Sequence, residues 1–232
     1  MRGVVYLIPA PLEESSLSPL PSYILEVIHL CNVFFVENER TARRYFKKLD
    51  SSIVIDNYAW YNMEKGTEDI RSAFIKEVRS GKNIGIVSEA GCPGIADPGQ
   101  LLVEIAHQEG VVVKPLVGPS SILLALMASG FNGQQFAFHG YLPVDDTERM
   151  KKIRSLEEQS AKNKSTQIFI ETPYRNDKLL ATILKIAHPK TRLCVAVNLT
   201  GENEKIWSMS VGEWKKNTPV LHKQPAIFLM MG

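Results

Sequence analysis

Val87-Ser88-Glu89-Ala90-Gly91-Cys92-Pro93-Gly94-Ile95-Ala96-Asp97-Pro98-Gly99 is the stretch whose reading decides the fold. The apolar run at 83–87 reads as a strand, and residues 101–108 have helical spacing. Between them, glycine permits positive φ and lets a ligand come close to the backbone, while proline fixes φ and removes a donor. A strand-to-helix connection usually needs about 2 to 6 residues, and this one is longer. Open α/β sheets bind small molecules at such loops, outside the carboxyl ends of their strands. A plain connection between strand and helix is the bland reading of the same residues.

The alternation extends to both sides of this loop. Before it come a strand at 3–8 ended by Pro9-Ala10-Pro11, a helix at 23–31, a strand at 33–36, a helix at 41–49, a short strand at 52–55 and a helix at 67–80 stopped by Gly81. After it come a strand at 111–116 and a helix at 121–128 opened by Pro119-Ser120. Such alternation predicts an α/β fold with a mainly parallel sheet covered on both faces. Beyond Gly130 the rhythm changes. A strand at 135–139, a helix at 145–159, a strand at 166–170 and a helix at 175–186 precede strands at 192–197, 205–210 and 226–231 with little helix between them. Strands joined by short loops are usually antiparallel, so a second, mixed α/β domain is expected. The division is placed at 1–117 and 118–232, with a cleft between the two domains.

The 232 residues are 44% hydrophobic and 22% charged, with a net charge of +2, so the whole molecule has no bias toward polyanions. A nucleic-acid partner would need a local patch. Two basic runs qualify, Arg40, Arg43, Arg44, Lys47 and Lys48, then Arg149, Lys151, Lys152 and Arg154, although a solvated helix face is the commoner meaning of such runs. Three widely spaced cysteines and five scattered histidines suggest neither a disulfide framework nor a metal site, and they fit a reducing cytoplasm. No apolar run approaches the roughly 18 residues that span a bilayer, and no secretory leader is expected. There is no Gly-x-Gly-x-x-Gly after the first strand and no P-loop, which weighs against dehydrogenases and P-loop enzymes.

Four segments go further: VYLIPAPL near the start, VSEAGCPGIADPG, VKPLVGPSSILLALMASG with FAFHGYLP soon after, and FIETPYRNDKLLATI. In order and spacing they resemble the tetrapyrrole methylase superfamily of S-adenosylmethionine-dependent methyltransferases over nearly the whole chain. Within it they look most like the branch that methylates a ribose 2′-hydroxyl of small-subunit ribosomal RNA. The resemblance implies two α/β domains that bind S-adenosylmethionine in the cleft between them, usually in a homodimer, with RNA as the substrate. By position, Leu12, Gly91, Cys92, Pro93, Ile95, Ser121 and Ile122 would line the donor pocket. Ile170, Asn198, Pro225 and Ala226 would close it from the second domain.

Methyl transfer to a hydroxyl needs alignment of acceptor and donor, and help in losing the proton. Glu89, Asp97 and Glu171 are the carboxylates expected to serve the reaction, and Glu37 and Glu39 read more readily as cap or ion-pair residues. Trp60 and Tyr61 either stack on a flat substrate or pack in the core. The chain departs from the ribosomal RNA branch on the acceptor side. Glu37-Asn38-Glu39-Arg40 stands for Glu-Asp-Thr-Arg, and Val197-Asn198-Leu199-Thr200-Gly201 for Arg-Glu-Leu-Thr-Lys. A tetrapyrrole or other small acceptor, or a donor-binding module without catalysis, is therefore the competing expectation.

Overall fold

Short β-branched and aromatic runs alternate with amphipathic helices through the first half of the chain, and each strand pairs in parallel with its neighbours. The computed structural model describes residues 3–64 and 66–232. The chain divides into two compact units, Met1–Ser120 and Ser121–Gly232.

In the first unit, β1 (Val4–Ile8) leads through α1 (Tyr23–Leu30) to β2 (Val33–Val36), and α2 (Glu39–Leu49) to β3 (Ala59–Asn62). From there α3 (Thr67–Arg79) leads to β4 (Ile84–Val87), and α4 (Gly99–Gln108) to β5 (Val112–Pro115). The order across the sheet is β3-β2-β4-β1-β5 and every pair is parallel, where the alternation predicts a mainly parallel sheet. Side chains alternate between faces along a strand, so Phe34 and Phe35 enter opposite cores. Phe34 packs with Ile24 and Ile28 of α1 and Tyr45 and Phe46 of α2. Phe35 packs with Phe74 of α3 and Ile105 of α4. The helices that follow β1 and β2 thus cover one face, and those that follow β3 and β4 cover the other. Strand β4 lies between β1 and β2, and its outgoing loop turns to the opposite face from theirs. The carboxyl ends of these three strands therefore border a crevice.

One strand expectation is corrected. The β-branched residues at 52–55 do not form a strand; Asp50 Oδ1 accepts the Ser52 N–H at 2.8 Å and turns the chain, and a short 3-10 turn follows at Ile55–Asn57. The third strand is Ala59–Asn62 instead, because its aromatic residues match the neighbouring strand. Trp60 stacks on Phe34 at 5.1 Å and Tyr61 on Phe35 at 4.7 Å between centroids, which places both rings against the core.

In the second unit, α5 (Ser121–Ser129), β6 (Phe136–Tyr141), α6 (Asp146–Asn163), β7 (Thr166–Ile170) and α7 (Asn176–Ile186) precede β8 (Arg192–Val197), β9 (Lys205–Ser210), the short α8 (Val211–Trp214) and β10 (Ala226–Met231). The sheet order is β6-β7-β10-β8-β9. Strands β6 and β7 are parallel, and β10 runs antiparallel to β7 and β8, as does β9 to β8. This is the mixed sheet the sequence predicts. Leu156 of α6, Ile183 of α7 and Trp214 of α8 pack with Phe169, Val195 and Phe228. The second basic run is not a uniform surface patch: Arg149 is 2% exposed, donates to the Val144 carbonyl at 2.9 Å and pairs with Asp146. Among the described residues, no helix is long and apolar enough to cross a membrane.

Candidate functional site

Three loops meet at the carboxyl ends of β1, β4 and β5. Ala10 donates to the Gly91 carbonyl at 2.9 Å and Gly91 donates back to Ala10 at 3.1 Å, a two-residue bridge that joins the loop after β1 to the loop after β4. Gly91 has φ 75° and is buried, and a Cβ there would lie 3.3 Å from Leu12 Cδ2. The Cys92 thiol donates to the Pro119 carbonyl at 3.4 Å, which ties in the segment after β5. In that segment Gly118 abuts Pro9 so closely that a Cβ would stand 2.2 Å from the proline ring. The expected Leu12, Gly91 and Cys92 are thereby drawn together. Pro93 is buried beside them, and Ile95 is 53% exposed on the same loop.

The loop is closed by its own carboxylate. Asp97 accepts from the Gly94 N–H at 2.9 Å and the Gly99 N–H at 2.7 Å. Burial holds the Asp97 carboxyl above its usual range, against the pull of these two donors. From Ser88 to Gly99 there are two acids and no lysine or arginine. Phosphate sites are built from free backbone N–H groups or cations. Here Gly94 and Gly99 donate to Asp97, so the loop suits a neutral or cationic ligand with apolar parts.

Glu37 follows β2 directly, and its carboxylate accepts the backbone N–H of Glu89. Burial raises its pKa above the ordinary value; that N–H lowers it, while the charges of Asp97, Glu89 and Glu64 add to the rise. Sequence reasoning discounted Glu37 as a cap, whereas Asn38 is the cap: its side chain accepts from Thr41 N at 3.2 Å at the start of α2. A cavity of about 310 Å³ opens beside Glu89 and Ala90, bounded by Leu12 and Glu14 of the loop after β1 and by Arg44 and Lys48 of α2. Thr41 Oγ1 reaches Glu89 Oε1 at 3.4 Å on its wall. Neither spacing nor periodicity pointed to Glu14 or Thr41, because each depends on packing between α2 and a loop distant in sequence.

The second unit gathers its own expected residues. Asn198, at φ 49°, donates its backbone N–H to the Pro225 carbonyl at 3.0 Å, and Ala226 pairs with Val197. Ile170 pairs with Ile227 across the adjacent strand pair. Ile170, Asn198, Pro225 and Ala226 therefore share one end of the second sheet. Ser121 and Ile122 open α5 and are half-buried. Glu171 is buried; its Oε1 accepts from Arg175 Nε at 3.0 Å and Nη2 at 2.6 Å, and from Thr172 N at 2.7 Å. Cys31 and Cys194 are buried, and desolvation pushes both thiols up to about 12. Among the described residues, no three His, Cys, Asp or Glu side chains are grouped to hold a metal ion.

Residues 23–215 match the tetrapyrrole (corrin/porphyrin) methylases. The chain is 30% identical over 210 residues to the ribosomal RNA small subunit methyltransferase I of Vibrio cholerae, covering 90% of this chain and 69% of that one. It is 26% identical over 221 residues to the protein of that name from a Synechocystis species, covering 94% and 76%. The uroporphyrin-III C-methyltransferase of Thermus thermophilus, solved with S-adenosyl homocysteine, has the same fold: the TM-score is 0.58 at 15% identity over 99% of this chain and 97% of that one.

Proposed function

The chain belongs to the tetrapyrrole methylase family, and from that premise we propose that it transfers the methyl group of S-adenosylmethionine to a ribose 2′-hydroxyl of small-subunit ribosomal RNA. The observation that carries the reading is the loop at 88–99: it lies at the crevice of a doubly wound sheet, bears two carboxylates and no cation, and is braced from within by Asp97. That chemistry fits a sulfonium donor better than a nucleotide phosphate. The choice of RNA rests on the relatives named as ribosomal RNA methyltransferases.

The donor supplies a methyl carbon activated by positively charged sulfur. On this reading Leu12, Gly91, Cys92, Pro93 and Ile95 would hold it through backbone groups and small apolar walls. Of the three expected catalytic carboxylates, Glu89 lines the cavity and would take the proton of the acceptor hydroxyl as the C–O bond forms and the S–CH3 bond breaks, its electron pair returning to sulfur to leave S-adenosylhomocysteine. Glu37 fixes Glu89 by accepting its backbone N–H. Asp97 holds the loop in shape, and Glu171 serves by ordering Arg175 at the start of α7. The protein works in the cytoplasm as a homodimer on this reading.

The test is transfer from tritiated S-adenosylmethionine to small ribosomal subunits reconstituted from transcribed, unmodified RNA, with uroporphyrinogen III as the competing acceptor. Label in a single 2′-O-methylated nucleoside after nuclease digestion is the expected result. Label in the tetrapyrrole alone, or no transfer to either acceptor, overturns the proposal.

A further inference from the structure

Resting on the reading that the acceptor is RNA, we infer that the face of α2 bearing Arg40, Arg44 and Lys48 holds the RNA backbone, and that Glu14 stands in for a phosphate at Arg44 and Lys48 in the RNA-free chain. Residues four apart lie on one face of a helix, about 6 Å apart along its axis. Arg40, Arg44 and Lys48 thus form a stripe on α2, in which Arg44 and Lys48 border the cavity and exposed Arg40 precedes them in the first turn.

Two cations of this stripe converge on one oxygen. Arg44 Nε lies 3.1 Å and Lys48 Nζ 3.0 Å from Glu14 Oε1, and Lys48 also donates to the Glu14 carbonyl at 3.2 Å. An arginine and a lysine focused on one anionic oxygen make the donor arrangement that a phosphate takes. The Glu14 side chain is 49% exposed, and ion pairs at the surface are weak and readily exchanged. Nothing in the fold requires a carboxylate there, since Glu14 sits in the loop after β1 and not in a core.

The rest of the same run is differently engaged. Arg43 pairs with Glu39 and lies over the Trp60 ring at 5.3 Å, and Lys47 donates to the Ser51 carbonyl at 2.8 Å. Counting charges along the sequence merges two sets that the helix separates: Arg43 and Lys47 are engaged within the first unit, while Arg44 and Lys48 face the cavity. The same cavity is also lined by Glu89 and Ala90, at the start of the loop assigned to the donor. A phosphate held at Arg44 and Lys48 therefore places its neighbouring ribose within the cavity that Glu89 borders.

The experiment is filter binding of the full chain to reconstituted, unmodified small ribosomal subunits between 50 and 200 mM salt, roughly the range over which phosphate contacts dominate affinity. Arg44→Ala and Lys48→Ala should each weaken binding by about fivefold and flatten the plot of log affinity against log salt by about 0.7. Arg44→Lys should keep the slope. Glu14→Gln should tighten binding by about threefold, since an internal competitor is removed. Calorimetry should find S-adenosylmethionine affinity unchanged in all four variants. If the wild type binds and methylates RNA but these substitutions leave affinity and slope alone, the inference falls and the proposed function stands. Weaker binding by Glu14→Gln also overturns it. If the wild type neither binds nor methylates RNA, both fall together.

Discussion

Asp97 shows how a residue's type can be read from sequence while its task is not. A carboxylate in a glycine-rich loop invites a catalytic reading, yet both of its oxygens accept backbone N–H groups of the same loop. Asp97→Asn would turn an amide donor toward one of those N–H groups, so stability should fall by about 1 kcal/mol. Donor affinity should fall with turnover, and paired calorimetry and kinetics check it; lost turnover at unchanged affinity would return Asp97 to the acceptor side. Glu37 makes the reverse case, for a strand-end glutamate looks like a cap until its partner 52 residues away is known. Its carboxyl is raised by burial and by neighbouring acids, so the folded chain binds that proton more tightly than the unfolded one. Stability is therefore lost as pH rises from the unfolded value of about 4.3 through the folded value, and stays lower above it. Glu37→Gln should raise the urea midpoint at pH 7 and leave it unchanged at pH 4, while slowing methyl transfer. An equal shift at both pH values would show that the charge is not the cause.

Elements were legible where one periodicity dominated. Fully buried β2 and β4, and α2 with its apolar face at Ala42, Tyr45 and Phe46, follow directly from the pattern. The third strand did not, because Ile53-Val54-Ile55 has stronger local β-propensity than Ala59–Asn62. The decision came from cross-strand stacking of Trp60 and Tyr61 on partners 26 residues earlier, which is a tertiary override of propensity. Close loop packing was equally hidden. Gly118 looks like an ordinary turn glycine, yet it lies against Pro9 with no room for a methyl group. Gly118→Ala must displace one loop from the other and should cost about 1 to 3 kcal/mol, read as a lowered urea midpoint. Wild-type stability in that variant would mean that the loops are not held together there.

At the scale of the molecule, a mainly parallel sheet followed by a mixed one was readable from the change of rhythm after Gly130, and the resemblance of four motifs gave the family. The match to the tetrapyrrole methylases over residues 23–215 agrees with both. Neither reading could supply the cavity at α2, because Glu14, Arg44 and Glu89 meet only after three separate segments fold. On the proposed reading, the cation-free loop after β4 receives a positively charged methyl donor. Ile95 tests it directly, being 53% exposed on that loop and outside the core, so that Ile95→Lys adds charge without removing packing. Calorimetric titration should show S-adenosylmethionine affinity reduced by about tenfold or more, with a smaller loss for S-adenosylhomocysteine, which lacks the sulfonium charge. Unchanged affinity for both ligands, in a wild-type background that binds them, would contradict the account.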